Sequence, residues 1–170
     1  MDVKKAAAET QDYIVSIRRE FHRHPELSLQ EFRTAQRIEE ELDKFGIPHT
    51  RVGETGVLGT LKGAKDNGKV LVLRADIDAL PIEETHECVY RSENAGVMHA
   101  CGHDAHAACL LGAAKSCRRT ETRSAERSVL YFNRERKSEK VQSRLSQPVC
   151  WMVPSACSVC TPRMIWRQER

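Results

Sequence analysis

The chain contains no run of about 20 apolar residues, the length a membrane-spanning helix needs. Its N-terminus, Met1-Asp2-Val3-Lys4-Lys5, lacks the apolar stretch of a secretory signal. These two absences predict a soluble, cytoplasmic protein that does not act at a membrane. Charge of one sign is not in excess either. With 27 Lys+Arg against 24 Asp+Glu the net charge is +3, too small to argue for nucleic acid as a partner. Paired cysteines are missing as well: the count is seven, an odd number at irregular spacings, which without an export signal reads as thiols or metal ligands rather than a disulfide framework. What remains is 170 residues, 40% hydrophobic and 30% charged, a composition for one globular domain of ordinary size.

A second set of absences divides the chain. Residues 116–170 contain no Gly, Asp or His, whereas residues 1–115 hold all nine glycines and all seven histidines. The first part carries 15 basic and 19 acidic residues, net −4; the second carries 12 and 5, net +7, with ten arginines, eight serines and four cysteines. A 55-residue segment without Gly or Asp has few residues suited to tight turns. The expectation is a structured region 1–115 and a basic, irregular, partly disordered tail 116–170.

Residues 1–115 alternate helix and strand signals. Tyr13, Ile14, Ile17 and Phe21 recur at helical spacing opposite Arg18, Arg19 and Glu20, which predicts a helix over Asp12 to Phe21 that stops before Pro25. Ser28-Leu29-Gln30-Glu31 has the form of a capping box. Phe32, Ala35, Ile38, Leu42 and Phe45 then repeat every three or four residues up to Gly46, a C-cap glycine. Val57 to Leu61 and Val70 to Leu73, joined through the turn sequence Lys65-Asp66-Asn67-Gly68, read as two paired strands. Ala105 to Ala114 reads as a helix.

Two segments carry candidate chemistry. In Met98-His99-Ala100-Cys101-Gly102-His103-Asp104-Ala105-His106, Cys101 and His103 stand two apart across a glycine, a spacing at which a thiolate and an imidazole can face one metal ion. Sulfur with nitrogen suits zinc, and less well manganese or cobalt. Asp104 is a candidate for orienting a ligating imidazole. The same residues also fit a His-rich loop, or a helix start capped by Asp104 beside an inert Cys101. Asp76-Ile77-Asp78 places two carboxylates at a strand end, where α/β folds meet ligands and where Asp also serves simply as a turn former. His22-Arg23-His24-Pro25-Glu26 reads as a helix end with cations against the dipole.

The order of Arg18-Arg19-Glu20-Phe21-His22-Arg23-His24-Pro25-Glu26-Leu27-Ser28, then Leu73-Arg74-Ala75-Asp76-Ile77-Asp78-Ala79-Leu80-Pro81, then Met98 to His106 with Leu110-Leu111-Gly112-Ala113-Ala114, is familiar. Over residues 10–115 the chain resembles the amidohydrolase branch of the aminoacylase-type zinc peptidases. That branch contains N-acyl-amino-acid amidohydrolases, hippurate hydrolases and indole-acetyl-amino-acid hydrolases. The resemblance implies an α/β fold, here the incomplete N-terminal part of a catalytic domain that in complete members is interrupted by a dimerisation domain. It implies metal-dependent hydrolysis of the amide bond of N-acyl amino acids, with zinc or manganese, or cobalt, as cofactor. By the same resemblance Cys101 and His103 fall on metal-ligand positions, Asp76 on a supporting acidic position, and Arg74 where relatives place a metal-binding His.

The family's later equipment, a Gln-Pro-x-x-Glu-Glu segment with the general base and further metal-binding histidines, does not occur in the chain as written. Codons chosen for Leu130 to Ser138 and read two bases later give Leu-Phe-Gln-Pro-Gly-Thr-Glu-Glu, and the same offset over Ser158 to Gln168 permits a Gly-Val-His segment. The tail therefore reads as out of frame, and the chain as a truncated fragment without activity. A non-catalytic metal-binding or interaction protein is the alternative. Within it, Cys150, Cys157 and Cys160 make a possible small zinc site that lacks a clear fourth ligand.

Overall fold

The computed structural model describes residues 3–62, 70–118, 127–133 and 149–152. Three helices, α1 (Val3–Arg23), α2 (Phe32–Lys44) and α3 (His103–Arg118), accompany five strands, β1 (His49–Val52), β2 (Gly56–Leu61), β3 (Val70–Asp76), β4 (Arg127–Asn133) and β5 (Val149–Met152). The class is α/β. The strands form one sheet in the order β1-β2-β4-β3-β5, with β1 and β2 antiparallel, β2 and β4 antiparallel, and β3 parallel to both β4 and β5.

Periodicity places the helices where expected, and their ends differ. Helix α1 begins well before Asp12, because Ala6, Ala7 and Ala8 are strong helix formers; its Ile17 and Phe21 lie in the core with Tyr13 and Ile14 against them. Helix α2 starts at Phe32, so Ser28-Leu29-Gln30-Glu31 is no capping box. Glu31 occupies the cap position without a side-chain cap bond. Its place is taken by Glu26, whose carboxylate accepts from Arg33 N at 3.1 Å and from Thr34 N and Oγ1 at 2.7 and 2.8 Å. At the other end Ile47 N donates to Leu42 O and Gly46 N to Asp43 O, the double bond of a Schellman turn, with Gly46 at φ +65° as that turn requires.

Two strand expectations are corrected. Val57 and Val70 begin strands, but β2 and β3 are not partners: β4 lies between them, pairing Val57 with Phe132 on one side and Ala75 with Phe132 on the other. The turn Lys65 to Gly68 falls outside the described residues. The irregular course expected from residue 116 onward does not hold for 127–133 and 149–152. Val129-Leu130-Tyr131-Phe132 is a continuous β-branched, apolar and aromatic run, and such a run buries both faces of an inner strand. All four residues are buried. Helix α3 likewise continues past Lys115 to Arg118, whose Nε donates to Phe45 O at 3.0 Å.

One sheet face carries Leu73, Ala75, Ile77, Leu130, Phe132, Val57 and Leu61 into the main core with Ile38, Leu42 and Leu111 from the helices. The other carries the smaller cluster Val70, Val72, Val129 and Tyr131. The unit β3–α3–β4 is a parallel crossover, so α3 returns along the sheet, and the loop from Asp76 to Gly102 opens at the C-terminal end of β3. That end of a parallel sheet is where open α/β folds place ligands.

Candidate metal centre

Strand β3 ends at Asp76, and the segment after it is held in place twice: Ala79 pairs with Leu27, and Leu80 with Met98. The second bridge brings the His99 to His103 segment alongside Asp78. Gly102, at φ +80°, turns the backbone sharply into α3 and sets His103 as the first helical residue. Its Nδ1 lies 2.9 Å from the Asp78 carbonyl and 3.1 Å from Asp78 Oδ1. Both partners are acceptors, so Nδ1 carries the proton and Nε2 is left for an electrophile, the arrangement that a carboxylate imposes on a metal-binding imidazole. Burial pulls the His103 pKa down, but the Asp78 contacts outweigh it and the net shift is upward.

One turn along α3, His106 stacks at an angle on His103 with ring centroids 5.5 Å apart. Asp76, His103 and His106, all buried, each offer a ligand atom within 4.8 Å of the others. Two imidazoles and a carboxylate form a donor set suited to zinc or manganese. The residues also fit a cation by their electrostatics. Asp76 Oδ1 is buried without a hydrogen bond, and burial pushes its carboxyl above the usual range against the pull of Arg74 and His103.

Of the expected site residues, Asp76 and His103 come together. Cys101 is half-buried on the same loop, two residues from His103, and outside that three-residue cluster. Asp104 does not orient His103. The two residues are adjacent on α3 and so point about 100° apart, which turns Asp104 toward α1. There its Oδ2 takes Arg18 Nε at 2.7 Å and His22 Nδ1 at 2.7 Å. His22 Nε2 meets Glu84 Oε1 at 3.1 Å, so His22 is a buried tie between α1, α3 and the intervening loop rather than an exposed cation at a helix end. His99 is buried beside it, 6.5 Å from the His22 ring centroid, and burial lowers its pKa to about 4. Sequence reasoning singled out Asp78 only as half of a strand-end carboxylate pair and His106 only as a neighbour of the Cys101 and His103 pair, and gave neither a role at the site. The i, i+3 spacing of His103 and His106 on a helix was the available signal.

An α/β layer thus gathers imidazole and carboxylate donors at the C-terminal end of a parallel strand. Residues 72–132 match the peptidase family M20/M25/M40. The chain is 48% identical over 114 residues to thermostable carboxypeptidase 2 of Saccharolobus solfataricus, covering 66% of this chain and 29% of that one. It is 46% identical over 115 residues to an N-acyl-L-amino acid amidohydrolase of Geobacillus stearothermophilus, covering 67% and 31%. Among solved structures, the YxeP protein of Bacillus subtilis, described as a dinuclear metal-binding peptidase of the M20 family, superposes with TM-score 0.70 at 36% identity over 74% of this chain and 35% of its own. The chain is thus similar to M20 amidohydrolases and peptidases over about two thirds of its own length, and spans about 30% of the length of the curated relatives it matches. Among the described residues no helix is long and apolar enough to cross a membrane.

Proposed function

We infer that this chain carries part of the metal site of an enzyme hydrolysing the amide bond of N-acyl amino acids, and that alone it binds a divalent ion without appreciable turnover. The convergence of Asp76, His103 and His106 beside an oriented Nδ1–H carries the reading. His103 is the central ligand, with Asp76 and His106 completing three protein donors and Cys101 a further donor on the same loop. A bound zinc or manganese ion would supply an acidified water and a polarised carbonyl. The chain's own residues supply the ligands, the Asp78 contacts that hold the His103 tautomer, and a partly buried setting that strengthens charge interactions.

Hydrolysis also needs a carboxylate to take the water's proton, a contribution of about 10²–10⁴ in rate. The Gln-Pro-x-x-Glu-Glu segment that carries it in the family resembled does not occur in the sequence as written. Glu135 and Glu139 of the tail, outside the described residues, are the remaining nearby carboxylates in sequence. The reading of residues 116–170 as an out-of-frame tail belongs to this proposal; sequencing the gene on either side of codon 116 tests it, through an open second frame that continues the family pattern.

One observation favours the alternative of a folded, non-catalytic metal-binding protein: β4, drawn from the tail, lies inside the sheet with Leu130 and Phe132 buried. Both readings require metal binding without turnover, and one experiment tests that. The purified chain, loaded with Zn²⁺ or Mn²⁺, is assayed against N-acetyl and N-benzoyl amino acids while Co²⁺ spectra report coordination. Metal binding with negligible turnover is expected. Turnover that disappears on Glu135→Gln or Glu139→Gln would show that the tail supplies a base and would refute the fragment reading. A thiolate-to-cobalt band lost on Cys101→Ala would make Cys101 a ligand.

A further inference from the structure

Arg74 and Asp76 are two residues apart on β3, so their side chains leave the same face of the strand. Arg74 Nη2 lies 2.5 Å from Asp76 Oδ1, and both side chains are largely buried, 18% and 10% exposed. Oδ1 nevertheless has no hydrogen-bond partner. The two groups are therefore in charge contact without the aligned fork that an arginine makes with a carboxylate built to hold it. The same carboxylate converges with His103 and His106. One buried anion thus faces two cations, a guanidinium already present and a divalent ion for which the imidazoles are arranged.

We propose that Arg74 is an intramolecular competitor for the metal: with no ion bound its guanidinium neutralises Asp76, and a divalent cation entering among Asp76, His103 and His106 takes the carboxylate in its place. The inference rests on the metal reading above and adds a determinant of affinity to it. Two cations cannot share a buried carboxylate without repulsion several times that in water. Arg74 does not lose its proton at any ordinary pH, so it yields only by moving, and its long flexible stem allows the head to swing away while the strand stays in place.

The test is a Co²⁺ titration of the full chain and its variants, with visible absorption reporting coordination and calorimetry reporting Kd. Arg74→Gln is expected to tighten Co²⁺ by about tenfold to hundredfold, the range a charge-assisted contact contributes. Arg74→Lys, which keeps the charge but carries it on a smaller, more strongly hydrated head, should fall between. In an Asp76→Asn background the gain from Arg74→Gln should shrink to about threefold or less, since neighbouring groups that act through one another are not additive. Asp76→Asn and His106→Ala report on the site itself: if neither weakens Co²⁺, the ion sits elsewhere and the metal reading fails, and this proposal with it. If both weaken it while Arg74→Gln leaves Kd unchanged or raises it, the site stands and the competition is refuted. Should the Arg74 variants not fold, the Arg74 Nε–Hε signal of the unsubstituted, ¹⁵N-labelled chain decides: it is expected to shift on Co²⁺ or Zn²⁺ saturation, and a stationary signal at full occupancy refutes the proposal.

Discussion

Replacing Asp78 by Asn tests how the candidate centre is assembled. His103 Nδ1 has two acceptors from the same residue, the Asp78 carbonyl at 2.9 Å and its carboxylate Oδ1 at 3.1 Å. The carbonyl belongs to the backbone and survives any substitution, so the ring stays oriented with Nδ1 protonated. What Asp78→Asn removes is the negative charge that makes the imidazole a better donor to a metal. Partners behind a ligating histidine contribute about 10–100-fold in affinity when both orientation and charge are lost. With orientation retained, the lower end applies, about tenfold weaker Zn²⁺ or Co²⁺ binding. Asp78→Ala, which also empties the space beside the ring, should cost more and approach a hundredfold. The assay is metal titration by calorimetry, with ¹⁵N spectra of the His103 ring confirming the Nδ1–H tautomer. An Asp78→Asn chain that binds within about twofold of the parent, or a parent His103 protonated at Nε2, would refute this account of the geometry.

Three further outcomes follow from the packing. A Cβ at Gly112 would meet Ile14 Cδ1 and Cγ1 at 2.5 Å, so Gly112→Ala sets a helix gain of about 1 kcal/mol against an overpacking cost of about 1–3 kcal/mol; the melting temperature should fall, and should rise instead when Ile14→Ala makes room. Glu26→Gln weakens the cap on Arg33 and Thr34 and should cost about 1 kcal/mol, visible as faster amide exchange at those two residues, whereas unchanged exchange would mean the cap is not functional. Burial pushes the Glu41 carboxyl up, but Lys44, Arg37 and Tyr13 donate to it and hold it below the usual range. Its stabilisation is therefore full above its unfolded pKa of about 4.3 and lost as pH falls through the lower folded value, so Glu41→Gln should depress the melting temperature near pH 7 and change it little near pH 2.

Much of the helical layer was legible from residue spacing. Ile17 and Phe21, or Ile38 and Leu42, lie on one side of a helix because 3.6 residues make a turn, and a stripe of that kind has to be buried whatever the fold. Gly46 was legible for the same local reason, since the turn after α2 needs a left-handed residue. The cap of α2 was not: Glu26 reaches Thr34 across an intervening turn, a relation that no fixed short offset encodes. The strand runs at Val57 and Val70 were legible as strands, yet their partner was not. A hairpin pattern describes only neighbours in sequence, and the apolar run Val129 to Phe132 enters between them from beyond a helix.

The site divides along the same line. The residue types and their order by themselves marked His103 as a candidate metal ligand and Asp76 as a candidate supporting carboxylate, because such a site would need donors of those kinds. Tertiary structure decided the rest. Asp78, and not Asp104, lies behind His103, since the bridge between Leu80 and Met98 brings two distant loops side by side while the helical rotation carries Asp104 round to Arg18 and His22. His106 joins Asp76, and Arg74 leans on the same carboxylate, because both distances depend on where α3 settles against the end of β3. Such distances are set by the packing of whole elements, and packing is a property of the folded core rather than of any short stretch of the chain.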